Sequence, residues 1–177
     1  MYLEMYEELT KLYHEGRIRA IGVSNFLPPH IESLEEVSDV LPAINEVELS
    51  PLNTQKKLIK WCQDRGIHMT AMSTFSHFRS CEPRMEIIEH PAIIPIAKKH
   101  GKSVVQVVLR WLVQQGVAVI PKTRNFEHLK ENIDILDFEL SAEEMAIIDS
   151  LDGSKWLNYH PEYTLKNLPP KYKDFQW

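Results

Sequence analysis

The chain is organised around Val117-Ala-Val-Ile-Pro-Lys-Thr-Arg-Asn-Phe-Glu-His-Leu-Lys-Glu-Asn132. Its first four residues read as a short apolar strand, which Pro121 ends because proline has no amide hydrogen to donate to a sheet. The polar residues of the turn that follows are Lys122, Thr123 and Arg124. Asn125 then serves as the N-cap of a helix. Two cations, a hydroxyl and a helix N-terminus in one turn are typical of a phosphate site. A surface loop with solvated charges is the alternative, and this turn alone favours neither.

Length, charge and composition limit the class of protein. A chain of 177 residues with 44% hydrophobic residues has the size of one globular domain. The net charge of −5 argues against nucleic acid or an anionic membrane as the main partner. Its two cysteines are no disulfide framework, and Cys62 lies in a helical pattern that predicts a small core residue. No apolar run has the length of a membrane span and no signal peptide is recognisable, so we expect a cytoplasmic location.

Strands and helices alternate along the chain. Four strands are predicted, at residues 18–23, 44–49, 67–73 and 117–120. The predicted helices are residues 2–14, 28–40, 55–65, 92–100, 103–115, 126–136 and 142–151. Thr54 is expected to cap the third helix, and Ser141 with Glu144 forms the capping box of the last one. Residues 74–83 show no regular period and are predicted to be irregular.

This alternation predicts an α/β fold in which helical crossovers join parallel strands. Ligands of such folds bind at the carboxyl ends of the strands, and polar residues follow each predicted strand. The residues at the first three strand ends are Ser24, Asn25, Glu46, Glu48 and Ser73. No G-x-G-x-x-G follows the first strand, which favours a TIM-barrel type of arrangement over a Rossmann site. Four β/α units correspond to half of a (β/α)8 barrel.

Three segments, in this order, resemble the aldo-keto reductase superfamily. They are Gly16-Arg-Ile-Arg-Ala-Ile-Gly-Val-Ser-Asn-Phe26, Val119-Ile-Pro-Lys-Thr123 with Glu131-Asn132, and Asp137-Phe-Glu-Leu-Ser141. They resemble the segments around the fifth strand, after the eighth strand and beyond it, which makes this chain similar to the C-terminal half of the family's barrel. The resemblance implies a (β/α)8 barrel that binds NADP(H) and transfers hydride to an aldehyde or ketone.

The resemblance also implies roles for residues at the strand ends. Ser24 and Asn25 would hydrogen-bond the nicotinamide carboxamide. Glu46 stands where the family usually has glutamine, and Met72 stands where an aromatic ring usually stacks on the nicotinamide. Ser73 and the loop that contains Phe75 would contact the pyrophosphate, although Thr74-Phe-Ser-His77 departs from the family's usual Pro-Leu-Gly.

The adenosine end of the cofactor would bind after the fourth strand. The residues implied around its 2′-phosphate are Lys122, Thr123, Arg124 and Asn125. Glu131 and Asn132 would hold the adenine, while His128 replaces an arginine that is common in the family. The resemblance therefore implies NADP(H) as the cofactor, with NAD(H) the less favoured alternative. The four β/α units of residues 1–151 would bind it, and the aromatic tail of residues 152–177 would cover the substrate. A tail packed on the outside, or disordered, is the alternative.

The family's catalytic tetrad of aspartate, tyrosine, lysine and histidine lies on its first four β/α units and has no counterpart in these residues. We therefore expect no catalytic residue and no turnover by this chain alone, and we expect self-association or a complementary half-barrel as its partner. A non-catalytic nucleotide-binding or assembly module is a second hypothesis, and another phosphate-binding barrel enzyme is a third. His77 and Cys81 are too few ligands to predict a metal site.

Overall fold

The computed structural model describes residues 2–75, 82–156 and 168–172. Its helices are α1 (Tyr2–His14), α2 (Pro28–Leu34), α3 (Lys56–Gln63), α4 (Glu82–Ile88), α5 (Ile94–His100), α6 (Val104–Gln114), α7 (Phe126–Ile133) and α8 (Ala142–Asp149). Its strands are β1 (Gly22–Ser24), β2 (Ile44–Glu48), β3 (His68–Met72) and β4 (Ala118–Val119), and a 3-10 turn covers Pro170–Tyr172. The predicted α/β class with parallel strands is confirmed.

The chain divides into two compact units. The first comprises Met1–Val47, Lys56–Met69 and Tyr159–Trp177, and the second comprises Glu48–Gln55 and Thr70–Asn158. None of the helices in the described ranges is both long and apolar enough to cross a lipid bilayer.

The first unit contains β1 and all of β2 except Glu48, and these two strands pair in parallel. Gly22 lies opposite Ile44, and Ser24 lies opposite Glu46, so both strands end at the same edge. Tyr6 of α1 packs in a buried cluster of this unit, whose other buried members are Ile21 and Leu34. Cys62 on α3 is fully buried, as its place in the helical pattern predicts. Burial raises the pKa of the Cys62 thiol to about 11, which makes it a poor nucleophile.

The second unit contains β4, the part of β3 from Thr70 that pairs with it, and α6, which has six buried residues. Thr70 lies opposite Ala118, and Ala71 lies opposite Val119. Helix α6 supplies the fully buried Trp111, whose Nε1 donates to Asp149 Oδ1 at 2.9 Å. The predicted capping box of α8 is confirmed, because the Ser141 side chain accepts from the amide of Glu144 while Glu144 Oε2 accepts from the amide of Ser141.

All four strands are shorter than the sequence predicts, and β1 and β4 have half of their predicted length. At β1, the amides of Arg17 and Ile18 both donate to the carbonyl oxygen of Leu12, so these residues complete the end of α1. At β4, the amide of Val117 donates to Leu112 O and thus closes α6. Residues predicted to begin each strand therefore bond to the end of the preceding helix, and the strand begins further along the chain. A backbone N–H that donates to a helix carbonyl is not available to a sheet.

Four of the helix predictions need correction beyond the shifts of one or two residues at the ends of α3, α5, α6 and α8. Helix α2 ends at Leu34 rather than at residue 40, since the Ser38 hydroxyl accepts from the amide of Val40 in a local turn. Helix α7 ends at Ile133 rather than at residue 136. Helix α3 begins at Lys56, so Gln55 rather than Thr54 directly precedes it, and the Thr54 hydroxyl donates to Asp152 Oδ2 at 2.5 Å. Helix α4 was not predicted, and it begins inside the segment expected to be irregular, at a Glu-Pro pair that suits a first helical turn.

Candidate functional site

Ser24, Asn25 and Glu46 meet at the carboxyl edge of β1 and β2. Ser24 and Glu46 are direct partners in the register, and the amide of Asn25 donates to the carbonyl oxygen of Glu46 at 2.9 Å. Asn25 adopts a left-handed backbone conformation with φ of 59°, which is uncommon outside glycine. The chain therefore turns sharply at the strand end, and Asn25 Nδ2 donates to Ser24 Oγ at 3.3 Å.

Asn45 supports this edge and was not identified from the sequence. It is fully buried, its Nδ2 donates to Phe26 O at 2.8 Å, and its Oδ1 accepts from the amide of Phe26 at 3.3 Å. The side-chain amide of Asn45 thus forms hydrogen bonds with both the N–H and the C=O of Phe26, the residue after Asn25. Asn45 alternates with the buried Val47 along β2, and a polar residue on that side of the strand is the signal that would have identified it.

The end of β3 has the same kind of turn. Ser73 follows the strand directly and has a φ of 56°, again in the left-handed region. Met72, Ser73 and Phe75 are half-buried, while Thr74 between them is buried. A non-glycine residue in this conformation costs of the order of 1 kcal/mol, and such residues cluster at binding sites.

The turn after β4 leads into α7 as the sequence predicts. Asn125 is the N-cap, and its Oδ1 accepts from the amide of Glu127 at 2.8 Å. The Thr123 hydroxyl accepts from the amide of Asn125 at 3.1 Å, so two side chains of the turn hold its backbone. Lys122 and Arg124 are exposed, and no described carboxylate forms an ion pair with Arg124. This leaves positive charge directed to solvent beside a helix N-terminus, where the helix dipole also favours an anion.

Helix α7 presents two different faces. With about 100° between successive residues, His128, Glu131 and Asn132 lie on one side of the helix. His128 and Glu131 are exposed and Asn132 is half-buried. Phe126 and Ile133 lie on the opposite side and are also exposed, so no residue of this helix is buried in the described structure.

The thirteen candidate residues therefore form two groups. Ser24, Asn25 and Glu46 belong to the first unit, where they share one strand edge. The second unit holds the other ten, at the ends of β3 and β4 and along α7: Met72, Ser73, Phe75, Lys122, Thr123, Arg124, Asn125, His128, Glu131 and Asn132. Both groups lie at carboxyl ends of parallel strands or just beyond them, the usual position of ligand sites in α/β folds.

Two tyrosines of α1, Tyr2 and Tyr6, are engaged in hydrogen bonds within the first unit. Tyr6 OH donates to Val40 O at 3.0 Å, and burial raises the pKa of Tyr6 to about 12. Tyr2 OH is 2.7 Å from Ser33 Oγ, and burial also raises the pKa of Tyr2. Tyr159 and Tyr163 lie outside the described residues.

Metal ligands are likewise not assembled in the described ranges, where no group of three or more His, Cys, Asp or Glu side chains surrounds a common point. His77 and Cys81, the pair considered from the sequence, lie outside these ranges.

Known proteins resemble this chain over most of its length. It is 42% identical over 161 residues to the uncharacterized oxidoreductase YtbE of Bacillus subtilis, an alignment that covers 91% of this chain and 55% of YtbE. It is 40% identical over 164 residues to the glyoxal reductase of the same organism, covering 93% of this chain and 57% of that enzyme. The chain thus spans little more than half the length of these curated relatives.

A solved structure agrees with this result. The crystal structure of a Bombyx mori aldo-keto reductase in complex with NADP superposes with a TM-score of 0.81 at 33% identity, over 95% of this chain and 55% of that one. The model of the Aldo/keto reductase family matches residues 1–153, from α1 to just beyond α8. The sequence, the parallel β/α units and this match agree, and the chain belongs to the aldo/keto reductase family.

Proposed function

We propose that this chain supplies the NADP(H)-binding part of an oxidoreductase that transfers hydride between NADPH and an aldehyde or ketone. The observation that carries the proposal is the turn after β4, in which two exposed cations flank the capped N-terminus of α7. The NADP bound to the silkworm relative supports this cofactor. When bound, the nicotinamide would supply the hydride, and the side chains of this chain would hold and orient it.

The adenosine end of the cofactor is assigned to the second unit. Lys122 and Arg124 would pair with the 2′-phosphate, a role that suits their exposure and position. Thr123 and Asn125 would act mainly by fixing the turn, because their side chains already bond its backbone. Glu131 and Asn132 would contact the adenine, and His128 would approach the 2′-phosphate from the same face of α7.

Residues at the ends of β1, β2 and β3 are proposed to bind the nicotinamide and the pyrophosphate. Ser24 and Asn25 would bond the carboxamide, and Glu46 would accept from its NH₂ group, because an ionised carboxylate accepts but does not donate. Met72 would pack against the ring as a deformable apolar side chain. Ser73 and Phe75 would contact the pyrophosphate at the turn after β3.

Calorimetry with NADP⁺ and NAD⁺ tests this assignment. A charged hydrogen bond contributes about 1.5–3 kcal/mol, so NADP⁺ should bind about ten- to a hundredfold more tightly than NAD⁺. Lys122→Ala with Arg124→Ala should remove this preference. The matched control, Lys11→Ala with Lys60→Ala, deletes two exposed lysines from α1 and α3 and should leave it intact. Equal affinities of the parent chain for both cofactors would refute the assignment.

Reduction itself requires a proton donor at the carbonyl oxygen as hydride reaches the carbon. Tyr2 and Tyr6 are poorly suited to this role because burial raises the pKa of each, so we propose that the residues of this chain are the second half of the family barrel and that the donor lies on the first half. The 177-residue polypeptide should bind NADPH without oxidising it in the presence of an aldehyde. Glyoxal is the first substrate to assay, given the glyoxal reductase of Bacillus subtilis. Turnover by the polypeptide alone, followed by NADPH absorbance, would contradict this division of roles.

A complementary set of β/α units is the partner that we propose. Phe126, Leu129 and Ile133 share one face of α7 and are 67%, 52% and 77% exposed. In the described structure β4 pairs with β3 on one edge and with no strand on the other. An apolar helix face beside an open strand edge is suited to another β/α unit, and the relatives are long enough to contain four more.

Sedimentation measures directly whether the polypeptide associates with itself or with the complementary half. Alone it should self-associate, and addition of the complementary half should convert it to a one-to-one complex. Ile133→Ser should weaken both associations, whereas Ile147→Ser, which changes an exposed isoleucine of α8, should weaken neither. A monodisperse, cooperatively melting monomer of the 177-residue chain would contradict the proposal.

The tail that begins at residue 152 is proposed to cover the substrate. Its start is held in the second unit, where the amides of Gly153 and Lys155 donate to Leu52 O at 3.1 and 2.9 Å. The Lys155 ammonium also pairs with the Glu86 carboxylate of α4. Deletion of residues 157–177 should therefore change which carbonyl compounds the complemented enzyme reduces while NADP⁺ affinity stays the same. An unchanged substrate profile would refute this role.

A further inference from the structure

Helix α7 has no buried residue in the described structure, so the packing of its own side chains does not fix its position. The proposed function nevertheless places three cofactor contacts on this helix and two more just before it. A hydrogen bond requires its donor and acceptor within a few tenths of an ångström of their best distance. The position of α7 must therefore be set by the segments at its ends.

Gln106 of α6 holds the residue that follows α7. Its Nε2 donates to the carbonyl oxygen of Asp134 at 2.8 Å, and only 5% of Gln106 is exposed. The other atom of the same amide, Oε1, accepts from the amide of Ser103 at 2.9 Å and completes the capping box of α6. One buried side chain thus connects the start of α6 to the end of α7.

Lys102 reinforces this connection. Its ammonium is 2.8 Å from Asp134 Oδ2 and 2.8 Å from Asp137 Oδ2, and its side chain is 11% exposed. On α6 itself, Arg110 Nη1 donates to Ile135 O at 3.3 Å. Gln106 and Arg110 lie about one turn apart on one side of α6, and Lys102 lies two residues before the helix begins.

We infer that Lys102 and Gln106, with their partner Asp134, form a polar tether that positions α7 for the adenosine 2′-phosphate. The inference rests on the proposed function of the α7 side chains. An eight-residue helix is about 12 Å long, and a pivot of about 10° at its last residue moves its first turn by about 2 Å. That displacement is enough to break the contacts of His128 and of the turn before it with a phosphate. The proposed function assigns no cofactor contact to Lys102 or Gln106, so both are positioning residues.

Gln106→Glu separates the two functions of this side chain. The carboxylate still accepts from the amide of Ser103, but it has no hydrogen to donate to Asp134 O and adds a negative charge beside the Asp134 carboxylate. The control is Ser103→Ala, which removes the hydroxyl cap of α6 and leaves Asp134 untouched. Lys102→Met is a second test should the first variant not fold, and Lys102→Arg is its conservative rescue.

The probe is adenosine 2′,5′-bisphosphate, which contains only the part of NADP⁺ assigned to α7 and its preceding turn. By calorimetry, Gln106→Glu and Lys102→Met should each bind it about three- to tenfold more weakly than the parent chain, whereas Ser103→Ala and Lys102→Arg should bind it as the parent does. Unchanged affinity in the first two variants, or an equal loss in Ser103→Ala, would overturn the tether while the proposed function stands. No binding by the parent chain would refute the proposed function, and the tether with it.

Discussion

Helices α6 and α7 have similar local signals and very different surroundings. Ser103 caps α6 and Asn125 caps α7, each with a side-chain oxygen that accepts from an amide of the first turn. However, α6 buries Trp111 and five other residues, whereas α7 buries none in the described structure. Local sequence therefore forms both helices, but only α6 is held by the core. The side chains of α7 are available for a ligand on one face and for a partner on the other.

The largest expected effect comes from removing the main core side chain of α6. Trp111→Ala should lower the free energy of unfolding by about 3–5 kcal/mol, because it leaves a cavity and removes the hydrogen bond to Asp149. Phe126→Ala on α7 should change it by less than about 0.5 kcal/mol, because that ring is exposed. Urea denaturation of both variants measures the difference. Similar losses in the two variants would show that α7 is packed as tightly as α6.

The second expected effect concerns pH and a buried carboxylate. Burial alone would raise the pKa of Glu144, but hydrogen bonds from Lys99, the Ser141 amide and His100 lower it to about 2. Because the pKa of Glu144 is lowered in the folded state, its carboxylate stabilises the protein at pH values above the ordinary pKa of 4.5. This stabilisation is lost as the pH falls towards 2. The contribution is of the order of 3 kcal/mol.

Melting curves between pH 7 and pH 2 test this prediction. The stability of the parent chain should fall in that window more steeply than that of Glu144→Gln, which has no carboxyl to protonate. The control is Glu127→Gln on α7, which removes an exposed ion pair with Lys130 and should leave the profile of the parent chain unchanged. Parallel profiles for the parent chain and Glu144→Gln would contradict the role of this carboxylate.

The smallest expected effect is the difference between removing the N-cap of α6 and removing the N-cap of α7. Ser103→Ala should lower the global stability by about 1 kcal/mol, because α6 unfolds only with the core. Asn125→Ala should leave global stability nearly unchanged and instead speed hydrogen exchange in the first turn of α7, since an unpacked helix end opens locally. Exchange that speeds up in both helices to the same extent would argue against this difference.

Local signals in the sequence predict much of this structure. The stop after α1, the Asn125 cap and the Ser141 capping box depend on neighbouring residues, and each is found where it was expected. The strand ends that hold Ser24, Asn25 and Ser73 were also expected, because polar residues follow apolar strands.

Contacts between distant residues were not predicted. The bond from Gln106 to Asp134 O spans 28 residues and ends α7 earlier than its apolar period suggests. The hydroxyl of Thr54 donates to Asp152, which is 98 residues away. The left-handed conformations of Asn25 and Ser73 were not expected either, because neither residue is glycine. Tertiary partners determine such features, and the local pattern does not contain them.

A titration of the ¹⁵N-labelled chain with NADP⁺, followed by amide chemical shifts, tests the central claim most directly. The account predicts saturable shifts at Ser24, Asn25 and Ser73 and along the turn and helix from Lys122 to Asn132, with none in the buried stretch of α6 from Val107 to Leu112. Shifts confined to other surfaces, or none at millimolar NADP⁺, would contradict the claim that these strand ends and α7 bind the cofactor.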